Sequence, residues 1–110
     1  WEKQITELSK CENVTAKLGG IAMEINGFNW HLNKIAPSGQ DLINRTKRYY
    51  EKTLEVFGVD RCMFESNFPV DKISCSYVNL WNGFKLLTKE YSADERAKLF
   101  HDNAIRIYKL

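Results

Sequence analysis

Apolar residues recur along this chain with characteristic spacings, and each spacing predicts one kind of secondary structure. Apolar side chains three and four positions apart predict four helices: residues 1 to 11, a helix that starts after an N-cap at Ser38 and ends at Phe57, residues 77 to 87, and residues 93 to 107. Two short apolar runs predict buried strands, at residues 14 to 18 and 61 to 64. Residues 21 to 38 show no clear period, and they predict a long loop with room for one helical turn.

The residues that flank these elements are typical of element ends. Gly19 and Gly20 follow the first strand, and Gly58 follows the second helix, as expected of a residue just past a helix C-terminus. Ser92 and Glu95 have the spacing of a capping box at the start of the last helix. A strand, a crossover helix and a second strand in this order predict an α/β fold with two parallel strands.

Composition narrows the class of protein. The chain has 110 residues, which suits a single domain over residues 1–110. Its net charge is +2 with acids and bases interspersed, so we expect no nucleic-acid partner. No apolar run approaches the length of a membrane span and no segment has the pattern of a signal peptide, so we expect a cytoplasmic protein that does not bind membranes. The three cysteines, Cys11, Cys62 and Cys75, lack the spacing of a disulfide framework or a zinc site, which fits reduced thiols.

Three polar residues end the second predicted strand and are the first candidates for a functional site. The apolar strand is followed by Glu65, Ser66 and Asn67, and Pro69 prevents further strand pairing. In parallel α/β proteins, functional side chains collect where strands end. Strand alternation places Glu65 and Asn67 on one face and Ser66 on the other. A purely structural role for Asn67, as the cap of the turn that follows, is the alternative.

The long loop after the first strand supplies further candidates. His31 lies there next to Trp30, and a histidine beside aromatic rings can line a substrate pocket or transfer a proton. An incidental loop histidine is the alternative. We therefore predict Asn67 and Glu65 as catalytic residues, and His31, Trp30 and Ser66 as substrate-binding residues. The chain has no His-x-His or His-Glu-x-x-His pattern, so we predict no metal ligand within it.

Three segments together resemble the amidohydrolase-2 family, a group of metal-dependent hydrolases within the amidohydrolase superfamily. Residues 60 to 69, DRCMFESNFP, are similar to the family's last barrel strand, which reads Asp-Arg, apolar residues, Gly-Ser-Asp, an aromatic residue and Pro. Residues 13 to 20, NVTAKLGG, resemble the preceding strand. Residues 100 to 108, FHDNAIRIY, resemble the closing helix with its Asn-Ala-x-x-x-Tyr signature. The three matches follow the family's order across nearly the whole chain.

The resemblance implies the C-terminal fragment of a (β/α)8 TIM barrel, with two parallel strands and about four helices. A complete barrel needs roughly 250 residues, so this chain does not close a barrel by itself. We expect the closing part of a longer hydrolase, inactive alone, and the opening on Trp1 without a methionine agrees with that expectation. A small compact protein with a similar motif is the alternative.

The function implied by the resemblance is hydrolysis of a C–O or C–N bond in a small-molecule substrate, namely a small carboxylate, lactone or amide. The family takes its metal-binding histidines from earlier strands, so a divalent metal such as zinc would belong to the full-length parent. A decarboxylase of the same family is one alternative, and a catalytically inactive fragment that only folds and self-associates is another. We expect a homo-oligomer, because two strands alone leave unpaired edges.

Asn67 departs from the family pattern, which has an acid at this position. The family's acid helps to bind the metal or takes a proton from the attacking water, and both roles rest on a negative charge. An asparagine is neutral, and it would instead orient a substrate or a water by hydrogen bonding. Glu65 replaces a small residue of the family. Its carboxylate would act as an acid or base, or form an ion pair with Arg61 or Lys17.

Overall fold

The computed structural model describes the whole chain, Trp1–Leu110. It contains four helices, and the fourth, here called the closing helix, includes a π-helical turn. Their bounds are Glu2–Ser9 (α1), Gly39–Phe57 (α2), Tyr77–Leu87 (α3) and, for the closing helix, Ala93–Ala97 (α4), Lys98–Asp102 (the π-helical turn) and Asn103–Tyr108 (α5).

Two short strands form an open parallel sheet. Strand β1 spans Ala16–Leu18 and strand β2 spans Cys62–Phe64, with Ala16 opposite Cys62 and Leu18 opposite Phe64. The long helix α2 lies between them in the sequence, as a crossover connection between parallel strands requires. The predicted α/β class, with two parallel strands and four helices, is confirmed.

The chain divides into two compact units. The strand unit comprises Trp1–Leu18, Arg48–Phe64 and Tyr91–Leu110, and it contains both strands and the closing helix. The loop unit comprises Gly19–Lys47 and Glu65–Glu90, which are the segments that follow the two strands. The prediction of a single domain over residues 1–110 stays a prediction.

The strand unit is organised around strand β2. All three of its residues are buried, and the ring of Phe64 contacts the ring of Phe100 in the closing helix at a centroid distance of 4.8 Å. Arg61, just before the strand, donates hydrogen bonds to the carbonyl oxygens of Ser9, at 2.8 Å, and Cys11, at 3.1 Å. These bonds supply donors to carbonyl groups at and just beyond the end of α1, where no further helical turn provides backbone N–H groups.

The loop unit holds two helix starts and a close helix contact. Ser76 caps α3, because its hydroxyl oxygen accepts a hydrogen bond from the backbone nitrogen of Asn79 at 3.1 Å. Helices α2 and α3 approach at two glycines. A Cβ atom on Gly39 would lie only 2.8 Å from the backbone nitrogen of Gly83. The predicted long loop contains two short 3-10 turns, Glu24–Asn26 and Trp30–Leu32.

Candidate functional site

Residues that follow the two strands meet in the loop unit. Gly19 and Gly20 come directly after β1, and Glu65 and Asn67 come after β2. A Cβ atom on Gly19 would lie 2.5 Å from the carbonyl oxygen of Glu65, and one on Gly20 would lie 3.5 Å from the Asn67 side-chain nitrogen. The missing side chain at Gly19 therefore lets the two segments touch. We call Gly19, Gly20, Glu65, Asn67 and Asp71 the strand-end site.

The backbone at Asn67 takes a conformation that few residues adopt. Its φ is 54°, in the left-handed region, where asparagine is one of the few tolerated non-glycine residues. Its carbonyl oxygen accepts a hydrogen bond from the Asp71 nitrogen at 3.2 Å. The hydroxyl oxygen of Ser66 accepts one from the Phe68 nitrogen, also at 3.2 Å. Both bonds hold the tight turn that follows β2, and this turn directs the half-buried side chain of Asn67.

The Asn67 side chain donates a hydrogen bond to a buried carboxylate. Its Nδ2 atom lies 2.7 Å from Oδ1 of Asp71, whose side chain has no exposed surface. Burial raises the pKa of Asp71, and the negative charge of Glu65 adds to that increase. The hydrogen bond from Asn67 and the backbone N–H of Ala22 act in the opposite direction. Oδ2 of Asp71 has no partner with hydrogen-bond geometry.

Asp71 belongs to the strand-end site, but it is not among the residues predicted from the sequence. It lies in a 3-10 turn, Val70–Ile73, where apolar and polar residues show no period. The signal available in the sequence was its spacing of four residues from Asn67 across a proline. Such a spacing allows two polar side chains to meet on one side of a turn.

Glu65 lies next to Gly19, the first of the two glycines that follow β1. Its side chain is half-buried, and its charge acts on Asp71 within the loop unit. Arg61, one suggested partner, uses its guanidinium group on backbone carbonyl oxygens of the strand unit. The predicted catalytic role of Glu65 and its ion pair stay predictions.

Trp30 and His31 occupy different environments although they are adjacent. Trp30 is 4% exposed, stacks on Phe28 at 4.7 Å, and has the guanidinium of Arg45 5.4 Å from its ring centre. His31 places Nε2 3.6 Å from a carboxylate oxygen of Glu24, and its buried Nδ1 has no hydrogen-bond partner. Trp30 thus contributes to packing of the loop, whereas His31 keeps a free ring nitrogen. Their predicted substrate-binding roles, like that of Ser66, stay predictions.

An open trough lies beside the strand-end site. Its volume is about 590 Å³, and its lining residues are Met23, Glu24, Ile25, Asn29, Val70 and Ile73. Met23 connects the trough with the site, because its Cε atom lies 3.7 Å from the point where a Cβ of Gly20 would be, and Asn67 Nδ2 lies 3.5 Å from that same point. Val70 and Ile73, on either side of Asp71 in its 3-10 turn, also line the trough.

The ionisable residues of the chain do not form a metal site. No group of three or more histidine, cysteine, aspartate or glutamate side chains comes together to hold an ion. The buried carboxyl group of the strand-end site, that of Asp71, already accepts a hydrogen bond from Asn67. We therefore derive no chemistry through a metal bound by this chain alone. Among its helices, none has the length and apolar content needed to cross a bilayer.

The chain matches one family model and is similar to two curated proteins. The family model described as amidohydrolase matches residues 1–110. The "Uncharacterized protein y4mH" of Sinorhizobium fredii is 41% identical over the whole chain, and the L-fucono-1,5-lactonase of Burkholderia multivorans is 28% identical. The chain spans about a third of these curated relatives, 33% and 35% of their lengths.

A solved structure shares the fold. The crystal structure of an amidohydrolase from Burkholderia multivorans with bound zinc superposes with a TM-score of 0.84 at 27% identity. The match covers 100% of this chain and 37% of that protein. The expectation that the chain corresponds to a fragment of an amidohydrolase TIM barrel is confirmed.

Proposed function

Because this chain belongs to the amidohydrolase family, we propose that it forms the closing part of a hydrolase that cleaves a C–O bond of a small lactone or a C–N bond of a small amide. The lactonase among its relatives favours a lactone. The observation that carries the proposal is the position of the Asn67 amide, at the end of a parallel strand and beside an open trough. Ligands of parallel α/β folds bind at this edge of the sheet.

In the proposed reaction, Asn67 binds and orients rather than exchanging protons. An amide does not titrate in the working pH range, so it cannot serve as a general base. Its oxygen can accept a hydrogen bond from a substrate hydroxyl or from the attacking water, which holds that group near the scissile bond. A zinc ion, as bound by the related amidohydrolase, would supply Lewis-acid activation when held by residues outside these 110.

The proposal is tested with the gene product that contains these residues. A panel of sugar lactones, simple lactones, amides and aromatic carboxylates is assayed with and without added zinc, and carbon dioxide release is recorded separately. We expect lactone or amide hydrolysis, and we expect Asn67→Ala to lower kcat/KM by about tenfold to a hundredfold. Carbon dioxide release without hydrolysis would favour a decarboxylase.

The matched control for that substitution is Asn44→Ala. Asn44 is an exposed asparagine on α2, outside the strand-end site. Hydrolysis that Asn67→Ala leaves unchanged would contradict the role assigned to Asn67. The 110 residues expressed alone are expected to be inactive, because the proposed metal-binding residues lie elsewhere.

Self-association of the 110-residue chain is part of the proposal. Three apolar side chains of the loop unit are strongly exposed, Ile25 at 87%, Ile35 at 83% and Leu32 at 73%. Exposed apolar surface of this kind favours association. Light scattering should then give a mass above 12.9 kDa, and a variant with Ile25→Ser and Ile35→Ser should shift it toward that value. A monomer before substitution would contradict the expectation.

A cytoplasmic location completes the proposal. It is supported by three free cysteines, Cys11, Cys62 and Cys75, since reduced thiols are typical of that compartment. Cell fractionation with an antibody to the chain tests it, and recovery from an extracytoplasmic fraction would contradict it.

A further inference from the structure

The buried carboxylate of Asp71 is the least expected group in the loop unit. Aspartate is almost never fully buried unless it is paired, and Asp71 has no exposed surface and no cationic partner among its recorded contacts. Its one side-chain hydrogen bond comes from the neutral amide of Asn67, at 2.7 Å. A carboxylate in this setting costs stability, so its retention calls for a reason other than packing.

The chemistry of the pair fixes the orientation of the Asn67 amide. The Nδ2 atom of Asn67, rather than its oxygen, lies 2.7 Å from Oδ1 of Asp71, and an amide N–H donates to a carboxyl oxygen. The amide oxygen then points the other way. Within the chain, the Asn67 side chain makes this one hydrogen bond, and its oxygen is not among the buried polar atoms that lack a partner. The oxygen is therefore available as an acceptor at the strand-end site.

We propose that Asp71 is a positioning residue, which holds the Asn67 amide by its nitrogen and turns the oxygen away from itself, so that Asn67 accepts a hydrogen bond from a substrate hydroxyl or from the attacking water. This inference rests on the proposed function. The group that binds to the Asn67 oxygen must then carry a hydrogen-bond donor, such as a hydroxyl. A carbonyl or carboxylate oxygen of the substrate is excluded there, because it can only accept hydrogen bonds.

The same relationship explains the asparagine at position 67. An aspartate there would place a second carboxylate at hydrogen-bond distance from Asp71, and two carboxylates so close cannot both be ionised. Asparagine supplies the donor that Asp71 needs and still presents an oxygen outward. The carboxyl group that pairs with position 67 therefore lies at Asp71, four residues further along the chain, and is shielded from solvent.

Three variants of the gene product test the inference. Asp71→Leu removes the acceptor, and we expect kcat/KM to fall about tenfold to a hundredfold, the range found when residues that orient a functional group are lost. Asp71→Asn keeps an acceptor but allows the amide pair to turn either way, so a smaller loss is expected. The exchange N67D/D71N restores one donor and one acceptor with an oxygen facing outward, and it should recover most of the activity lost in Asp71→Leu.

The kinetic parameters show whether the attacking water or a substrate hydroxyl donates the hydrogen bond to Asn67. A fall in kcat at constant KM identifies the attacking water, and a rise in KM identifies a substrate hydroxyl. Asp94→Asn is the matched control, because it makes the same acid-to-amide change at an exposed position on α4. If folded Asp71→Leu and Asp71→Asn proteins retain kcat/KM within about twofold of the unaltered protein, the inference is overturned, since so small a change is under about 0.5 kcal/mol.

Nuclear magnetic resonance of the Asn67 side chain tests the inference without measuring enzyme turnover. With asparagine labelled with nitrogen-15, the Asn67 side-chain N–H signal should move, and exchange faster with water, in Asp71→Leu but not in Asp94→Asn. An unchanged Asn67 signal in Asp71→Leu overturns the positioning role. If the unaltered protein hydrolyses no lactone or amide, the proposed function fails, and this measurement still decides whether Asp71 orients Asn67.

Discussion

The side chain of Asn103 donates a hydrogen bond of 2.8 Å to the carbonyl oxygen of Cys62 in strand β2. The same nitrogen lies 2.7 Å from the carbonyl oxygen of Val59, so one amide satisfies both ends of the short turn that leads into the strand. Asn103 is 3% exposed and directly follows the π-helical turn of the closing helix. A π-helical turn changes the register of a helix, which brings Asn103 rather than an apolar neighbour to the strand.

Removing this amide should destabilise the fold strongly. Asn103→Ala removes both hydrogen bonds, although the Val59 carbonyl keeps the backbone N–H of Cys62 as a donor, and we expect the free energy of unfolding to fall by about 1–3 kcal/mol. Asn103→Asp should cost at least as much, because a carboxylate would face two carbonyl oxygens. Urea unfolding followed by circular dichroism measures both, with Asn44→Ala as the exposed control. An Asn103→Ala protein within 0.5 kcal/mol of the unaltered one, the ordinary spread of surface substitutions, would disprove this role.

The glycine contact between α2 and α3 predicts an asymmetric response to alanine. A Cβ on Gly39 would lie 2.8 Å from the Gly83 nitrogen and 2.9 Å from the Asn79 oxygen, which are backbone atoms that cannot move alone. A Cβ on Gly83 would meet the Gly39 oxygen at 3.2 Å, a milder contact. Gly39→Ala should therefore cost about 1–3 kcal/mol of unfolding free energy, and Gly83→Ala less. Thermal unfolding of both variants checks the order, and a more stable Gly39→Ala protein would refute the contact.

Features set by neighbouring residues were predictable from the sequence. Gly58 ends α2 with a φ of 76°, and the capping box of Ser92 and Glu95 is present at the start of α4. Both depend on a few adjacent residues. The strands were predicted in the right places, but β1 is shorter than residues 14 to 18, and Arg61 belongs to a 3-10 turn rather than to β2. Strand bounds depend on pairing with a distant segment, which a local pattern does not contain.

The polar residues that organise the fold were not predictable from apolar spacing. Asn103 and Asp71 are both buried and polar, and Asn103 bonds to residues far away in the sequence whereas Asp71 accepts from Asn67 across a turn. Tyr77 shows the converse error, since its place in the helical stripe predicted burial and its side chain is 52% exposed. The π-helical turn was not predicted, because apolar spacing alone does not show where a helix takes in one added residue.

The three thiols should differ sharply in reactivity. Burial raises the pKa of Cys62 to about 12 and that of Cys75 to about 11, and both side chains are buried, whereas Cys11 is exposed. Because the thiolate is the reactive form, a disulfide reagent at pH 8 should label one thiol quickly and the other two only after unfolding. The variant Cys11→Ser should lose the fast phase. Rapid labelling of a second thiol in the folded protein would show that Cys62 or Cys75 is accessible.

The buried carboxyl group of Asp71 should make the stability of the protein depend on pH. Burial raises the pKa of Asp71 above its ordinary value of 3.8, so the folded protein binds a proton more tightly there than the unfolded chain does. Its contribution to stability is fully present below pH 3.8 and is lost as the pH rises through the folded pKa. Relative to Asp71→Asn, the unaltered protein should therefore become less stable with increasing pH. Urea unfolding of both proteins from pH 3 to pH 8 measures this difference.

Asp41 provides a control, because its pKa is lowered in the folded protein whereas that of Asp71 is raised. Its hydrogen bonds with Ser38 at the start of α2 lower the pKa of its exposed carboxyl group. The stability that Asp41 contributes is present above its unfolded pKa and is lost as the pH falls through the folded one. The difference between the unaltered protein and Asp41→Asn should thus grow as the pH rises, while the Asp71 difference shrinks. Parallel pH dependences for the two comparisons would contradict the raised pKa that follows from the burial of Asp71.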